Sequence, residues 1–273
     1  MRPATWIIPL SLVLGIASLA AGEDAATRPV QSPPVPEAVS LKGPLVLHLP
    51  GIAGYLGCDR HLLAGLSEGG VKAHVAVYDW TDNDPGLRAL HAYERNQTEA
   101  QRVADMIVDH ARLDPTSPIY LTSHSGGCGI AIWALEKLPA DVAVDSVLLM
   151  APALSPEYDL THALRHVRGQ LYAFTSVHDV VVLEAGTKLF GTIDGVLTAA
   201  AGFGGFVRPP GADIQLYNKL IPEPYEDDWM QYDDYGDHIG AMSRKFAANV
   251  LAPLLLGQVS PATRPSPTQI DAQ

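Results

Sequence analysis

Pro118-Ile119-Tyr120-Leu121-Thr122-Ser123-His124-Ser125-Gly126-Gly127 is a strand-forming run that ends in small residues, and a helical pattern from Ile130 to Leu138 follows it. Strand, sharp turn and helix therefore meet with a serine at the apex. A residue at such an apex is held in a strained backbone conformation. It needs small residues two positions before and two after, so that strand and helix can approach closely. With Ser125 at the apex, Ser123 and Gly127 are those residues. With Ser123 at the apex, Leu121 would fill the first small position, which is a poor register. The helix start behind the apex would aim free N–H groups and a positive dipole end at any charge forming there. Phosphate-binding and plain structural loops share this pattern, so the remainder of the chain has to discriminate.

Outward from this turn, strand and helix signals alternate. Short β-like runs are Leu45 to Leu49, Val71 to Tyr78, Ile119 to Ser123, Ser146 to Met150, Gln170 to Ser176 and Ile214 to Tyr217. Helical patterns lie between and after them, at His61 to Leu66, Thr98 to Leu113, Ile130 to Leu138, Leu160 to Val167 and Ile239 to Leu256. The alternation predicts one α/β domain over residues 44–257, a mostly parallel open sheet with helices on both faces. Ligands bind such sheets beyond the carboxyl ends of the strands. Polar or glycine-rich features stand at three further strand ends: Pro50-Gly51-Ile52-Ala53-Gly54, Asp179 within Ser176-Val177-His178-Asp179, and Gly236-Asp237-His238-Ile239-Gly240. His238 is the histidine between the last strand and the final helical pattern.

The turn resembles the nucleophile elbow G-x-S-x-G of the α/β-hydrolase family, with Ser123 in place of the first glycine. The resemblance, to an exported serine esterase or lipase-like member, covers roughly residues 44–256. It implies the roles of the site. Ser125 is the nucleophile, His238 the base and Asp179 the acid that orients it, in the family's chain order, and the amides of Ile52 and Gly126 form the oxyanion hole. It further implies cleavage of carboxylic esters through an acyl-enzyme intermediate, acting on a small-molecule or lipid-like ester, with no cofactor and no metal. Acyl transfer to an alcohol, or amide or thioester hydrolysis with the same triad, is the alternative chemistry. A non-catalytic exported binding protein on the same scaffold is the alternative of another class. Each site residue also has a plain structural reading: a tight turn at Gly51, a solvated turn aspartate at Asp179, a surface or helix-start histidine at His238. His124, beside the apex, and His178, beside Asp179, are expected to pack rather than react.

Between the strand ending at Met150 and the one starting near Gln170 there is room for one helix, so no large lid domain is expected. Residues 183–210, apolar and glycine-rich, either wall an acyl pocket or form a buried helix and loop. Asp227, Asp228, Asp233, Asp234 and Asp237 crowd the approach to His238. They could include an alternative acid partner for His238 or a calcium site. A solvated acidic loop is expected, since the spacing lacks the glycine and terminal glutamate of a calcium loop and acid-rich surface loops are common.

Composition sets outer limits. The chain has 273 residues, 47% of them hydrophobic, enough to bury a sizeable core. Its formal charge of −12 and scattered lysines and arginines argue against a nucleic-acid partner. Arg2, the apolar run from Trp6 to Leu19 and the small residues Ala20, Ala21 and Gly22 read as an export signal over residues 1–22. A periplasmic or extracellular location and no stable membrane insertion after cleavage are expected; an uncleaved N-terminal tether is the alternative. Residues 23–43, with Pro29, Pro33, Pro34 and Pro36, read as an extended linker, and residues 258–273 as a disordered tail. Cys58 and Cys128 could pair in an oxidising compartment, or pack as two buried thiols.

Overall fold

A computed structural model describes residues 35–81 and 84–258; the expected export signal, most of the expected linker and nearly all of the expected tail lie outside the described residues. Six parallel strands form one sheet in the order β2-β1-β3-β4-β5-β6: β1 Leu45–Leu49, β2 His74–Val77, β3 Ile119–His124, β4 Ser146–Met150, β5 Leu171–Thr175 and β6 Leu220–Pro224. The inner strands read as nearly unbroken apolar runs because both of their faces are covered. Leu45, Leu47 and Leu49 of β1, Leu121 of β3, Val147 and Leu149 of β4 and Leu171 of β5 enter one core. Val46, Leu148, Met150, Tyr172 and Phe174 enter the other.

Helices α2 Tyr93–Leu113 and α3 Gly127–Glu136 cover the first face, following α1 Gly57–Glu68 on the second. In α2, Ala100, Val103, Ala104, Met106 and Ile107 recur at helical spacing and make its buried stripe. Helix α3 is buried from Gly127 to Leu135, which fits a helix sandwiched between the sheet and α2. The second face is closed by Leu62 and Leu66 of α1 together with Phe246, Leu251 and Leu255 near the C-terminal end. Between β4 and β5 stands a single short helix, α4 Thr161–Arg165.

Several expectations are corrected. Ile214–Tyr217 is a helical turn rather than a strand, because the Asp213 carboxylate accepts from the amides of Gln215 and Leu216 and caps it. The strand expected there lies just beyond, at Leu220–Pro224. The final helical pattern is not continuous from Ile239. A tight turn, Gly240–Met242, comes first, and Ser243 then caps a new start by accepting from Phe246 N. A wide turn at Ala247–Leu251 precedes Pro253, which lacks an amide for the helical ladder. The end of the expected linker joins the domain: Glu37–Ser40 forms one turn, Val39 is buried in the first core, and His110 Nδ1 lies 3.0 Å from its carbonyl. Cys58 and Cys128 are free thiols.

Sheet order fixes where the loops converge. The chain leaves β1 toward β2 on one side and returns to place β3 on the other, so the winding reverses between β1 and β3. At such a switch point the loops leaving adjacent strands diverge and open a crevice. Leu49 pairs with Ser123 in the register, which sets the loop after β1 beside His124, Ser125 and Gly126.

Candidate active site

Ser125 follows β3 directly and has φ of 51°. This left-handed conformation is uncommon for a residue with a side chain, and it is held here by its surroundings. The Ser125 amide donates to the Met150 carbonyl at 2.9 Å, continuing the β3–β4 ladder, while its carbonyl accepts from Cys128 N at 3.1 Å and Ala153 N at 3.2 Å. The small positions do what the sequence requires of them. A Cβ on Gly127 would collide with the main-chain carbonyls of Leu49 and Pro50, so only glycine lets α3 start this close to β1. Below the turn, the buried Ser123 hydroxyl lies 3.3 Å from Cys128 Sγ. Burial pushes that thiol up to about 12, so it stands as a protonated, inert packing group.

The structure brings Ser125, His238 and Asp179 together. His238 Nε2 lies 3.0 Å from Ser125 Oγ, and His238 Nδ1 lies 2.6 Å from Asp179 Oδ2. An ionised carboxylate only accepts, so Nδ1 carries the proton and Nε2 is left to accept from the serine hydroxyl. Asp179 is buried and caps the turn Val180–Gly186, with Oδ1 accepting from Leu183 N at 3.4 Å. The His238 side chain is 19% exposed, open enough for a reacting group to reach it.

The loop after β1 stands against this constellation. A Cβ on Gly51 would lie 3.4 Å from Ser125 Cβ, and one on Gly126 would lie 2.6 Å from Ile52 Cγ2. Trp80 Nε1 donates to Pro50 O at 2.7 Å and Gly86 N to Ile52 O at 2.6 Å, fixing the loop from outside. Among the described residues neither the Ile52 nor the Gly126 amide donates to a protein acceptor. The two amides expected as oxyanion donors thus occupy adjoining loops at the switch point.

Residues 183–210 are bound to the loop that follows β4. Ile193 N donates to Ala153 O at 2.9 Å, Ala201 N to Leu154 O at 2.7 Å and Gly202 N to Pro152 O at 2.8 Å. The Ile193 side chain packs on Gly126 and Gly129, which sets this part of the segment against the start of α3 beside the apex. Its outer side leaves Leu189, Leu197 and Val207 exposed.

Other residues escaped the sequence reading. Asp227, Asp228, Asp233 and Asp237 are exposed, as a solvated loop requires, but Asp234 is buried; this corrects the expectation for that one acid. Its Oδ1 accepts from Gly236 N at 2.9 Å, and burial pushes the carboxyl up to about 6 despite that bond. It lines a cavity of about 20 Å³ with Asp179, His238, Ser176 and Trp229. Ser176 Oγ donates to Gly236 O at 2.6 Å. Beneath the loop after β1, His48 is fully buried between Thr122 Oγ1 and Asp59 Oδ1, each 2.9 Å away, and Asp59 Oδ2 accepts from Leu56 N at 2.6 Å. The sequence carried a signal for this pair: His48 interrupts the otherwise unbroken apolar run of β1, a strand buried on both faces. His178 rests on Tyr225, with ring centroids 5.1 Å apart, and takes no part in the constellation. No cluster of three metal-ligating side chains occurs among the described residues, nor any helix long and apolar enough to cross a membrane.

No family model matches the chain, and no curated protein matches it. Solved structures do. Lipase B of Aspergillus fumigatus is 12% identical with a TM-score of 0.47, and the match covers 78% of this chain and 52% of the lipase, so the chain spans about half the length of that protein. Dienelactone hydrolase of Anabaena variabilis is 14% identical with a TM-score of 0.43, covering 79% of this chain and 86% of the hydrolase. A cutinase-like protein of Cryptococcus sp. is 11% identical with a TM-score of 0.40, covering 79% and 94%. Likeness at this level says nothing of the reaction, which has to be argued from the side chains. The fold stands on its own observations: an open parallel α/β sheet with helices on both faces, as the α/β-hydrolase resemblance implies.

Proposed function

We propose that the protein is a serine hydrolase that cleaves carboxylic esters through an acyl-enzyme intermediate. One observation carries the reading: the His238 imidazole lies between the Ser125 hydroxyl and the buried Asp179 carboxylate, at hydrogen-bonding distance from both. Ser125 Oγ attacks the acyl carbon while its proton passes to His238 Nε2, and the carbonyl π electrons move onto oxygen. Asp179 stabilises the imidazolium that results. The oxyanion accepts from the amides of Ile52 and Gly126, at the positive end of α3. Collapse of this adduct breaks the C–O bond to the alcohol, which departs with the Nε2 proton. Water, losing a proton to the same nitrogen, then attacks the acyl-serine, and a second collapse returns that proton to Ser125 Oγ and frees the acid.

Turnover of short and long p-nitrophenyl esters by the wild type and Ser125→Ala tests the reading. Loss of at least about a thousandfold in kcat/KM is expected for the variant. Equal turnover by both proteins would end the proposal. Failure of a fluorophosphonate to label Ser125 in folded protein would favour a non-catalytic scaffold.

A further inference from the structure

The loop that carries His238 follows β6, whereas Ser125 follows β3 and Asp179 follows β5, yet this loop is fastened to both neighbours. From the Asp179 side comes the bond of Ser176 Oγ to Gly236 O, at 2.6 Å. From the Ser125 side comes His124, whose Nε2 lies 2.9 Å from the main-chain carbonyl oxygen of His238. A carbonyl only accepts, so Nε2 of His124 carries a proton. The two imidazoles lie with centroids 4.8 Å apart at 50°. On its other edge His124 meets the loop after β1, where a Cβ on Gly51 would sit 3.1 Å from Nδ1. One side chain thus touches the Ile52 loop and the base while preceding the nucleophile on its own strand. Burial, and then the nearness of His238, push its pKa down to about 4, which leaves the ring neutral near pH 7. A neutral ring can donate one hydrogen bond without setting a second positive charge beside an imidazole that must itself take up a proton.

We propose that His124 is a positioning residue: its Nε2–H, given to the His238 carbonyl, holds the His238 imidazole between Ser125 and Asp179. The proposal rests on the serine-hydrolase reading for its kinetic consequence but not for its structural one. A side chain locked at its own main chain keeps the reacting nitrogen within the narrow range that proton transfer tolerates, and a misplacement of about 1 Å costs on the order of a hundredfold.

The test compares His124→Gln, whose amide N–H can reach the same carbonyl, with His124→Leu, which fills the space and donates nothing. On a short p-nitrophenyl ester, His124→Leu is expected to lose about ten- to a hundredfold in kcat with KM changed less than about twofold, and His124→Gln to stay within about threefold of wild type. A second readout needs no turnover. The low-field proton resonance of the His238 Nδ1–H bonded to Asp179 is expected in the wild type and His124→Gln, and broadened by exchange with water in His124→Leu. Wild-type kcat together with a sharp resonance in His124→Leu, or equal losses in both variants, would overturn the proposal. If the wild type neither hydrolyses esters nor is labelled at Ser125, the serine-hydrolase reading fails and the resonance alone decides the role of His124. Should His124→Leu not fold, His124→Phe, which keeps a ring and lacks the donor, takes its place in both measurements.

Discussion

His124 and Asp234 are both buried against the His238 loop, and they answer acid in opposite senses. For His124 the folded value of about 4 lies below the ordinary 6.5, because burial and the nearby His238 disfavour its charged form. Between those values the unfolded chain binds a proton that the native state does not, so its contribution is complete above 6.5 and is lost as pH falls toward 4. For Asp234 the folded value of about 6 lies above the ordinary 3.8, so the native state binds the extra proton. That contribution is complete below 3.8 and is lost as pH rises through about 6. The two windows overlap and partly cancel. Urea titrations at pH 7 and pH 4.5 are therefore expected to show His124→Gln losing less stability on acidification than wild type, and Asp234→Asn losing more, on the scale of about 1.4 kcal/mol per unit of pKa displacement. Parallel behaviour of wild type and both variants would refute this assignment. Ser125, Asp179 and His238 were legible in the sequence because each closes a strand or precedes a helix. Asp234 was not, because nothing in five neighbouring acids marks the one that turns inward. The partner of His124 was hidden for a different reason: it is a main-chain carbonyl 114 residues away, which no side-chain pattern announces.

At the scale of elements, the strand, apex and helix around Ser125 depend on one missing Cβ. Gly127 is the first residue of α3, where alanine would ordinarily stabilise a helix by about 0.5–1 kcal/mol relative to glycine. Here the added methyl meets the main-chain carbonyls of Leu49 and Pro50, which cannot rotate away. The sign is expected to reverse, with Gly127→Ala destabilising the protein by about 1–3 kcal/mol in denaturant titration. A stabilised variant would mean that β1 and α3 are not held this closely. The apex could be read from sequence because its requirements are local. The elements that were misread are those decided by neighbours: Asp213 turns Ile214–Tyr217 into a helical turn, and Pro222 and Pro224 conceal a strand that only its edge position permits.

For the whole molecule, sheet order places the site. The reversal between β1 and β3 opens the crevice, β5 delivers Asp179 beside it, and the chain beyond β6 brings back His238. The same order leaves β2 and β6 at the sheet's two borders. Tyr225 N donates inward to Thr175 O at 2.7 Å, so in β6 the alternate positions, Pro222 and Pro224, have their nitrogens directed outward. An approaching foreign strand finds no amide there to pair with, which makes this border resistant to self-association through added strands. Light scattering during prolonged incubation is expected to show faster aggregation of the double variant Pro222→Val, Pro224→Val than of wild type, and an unchanged rate would refute the argument. The opposite border, the four residues of β2, has the turn Glu37–Ser40 beside it but carries no proline and leaves Val75 exposed. Of the two borders it is therefore the one where every residue keeps the amide that sheet-to-sheet growth between copies of this chain would use.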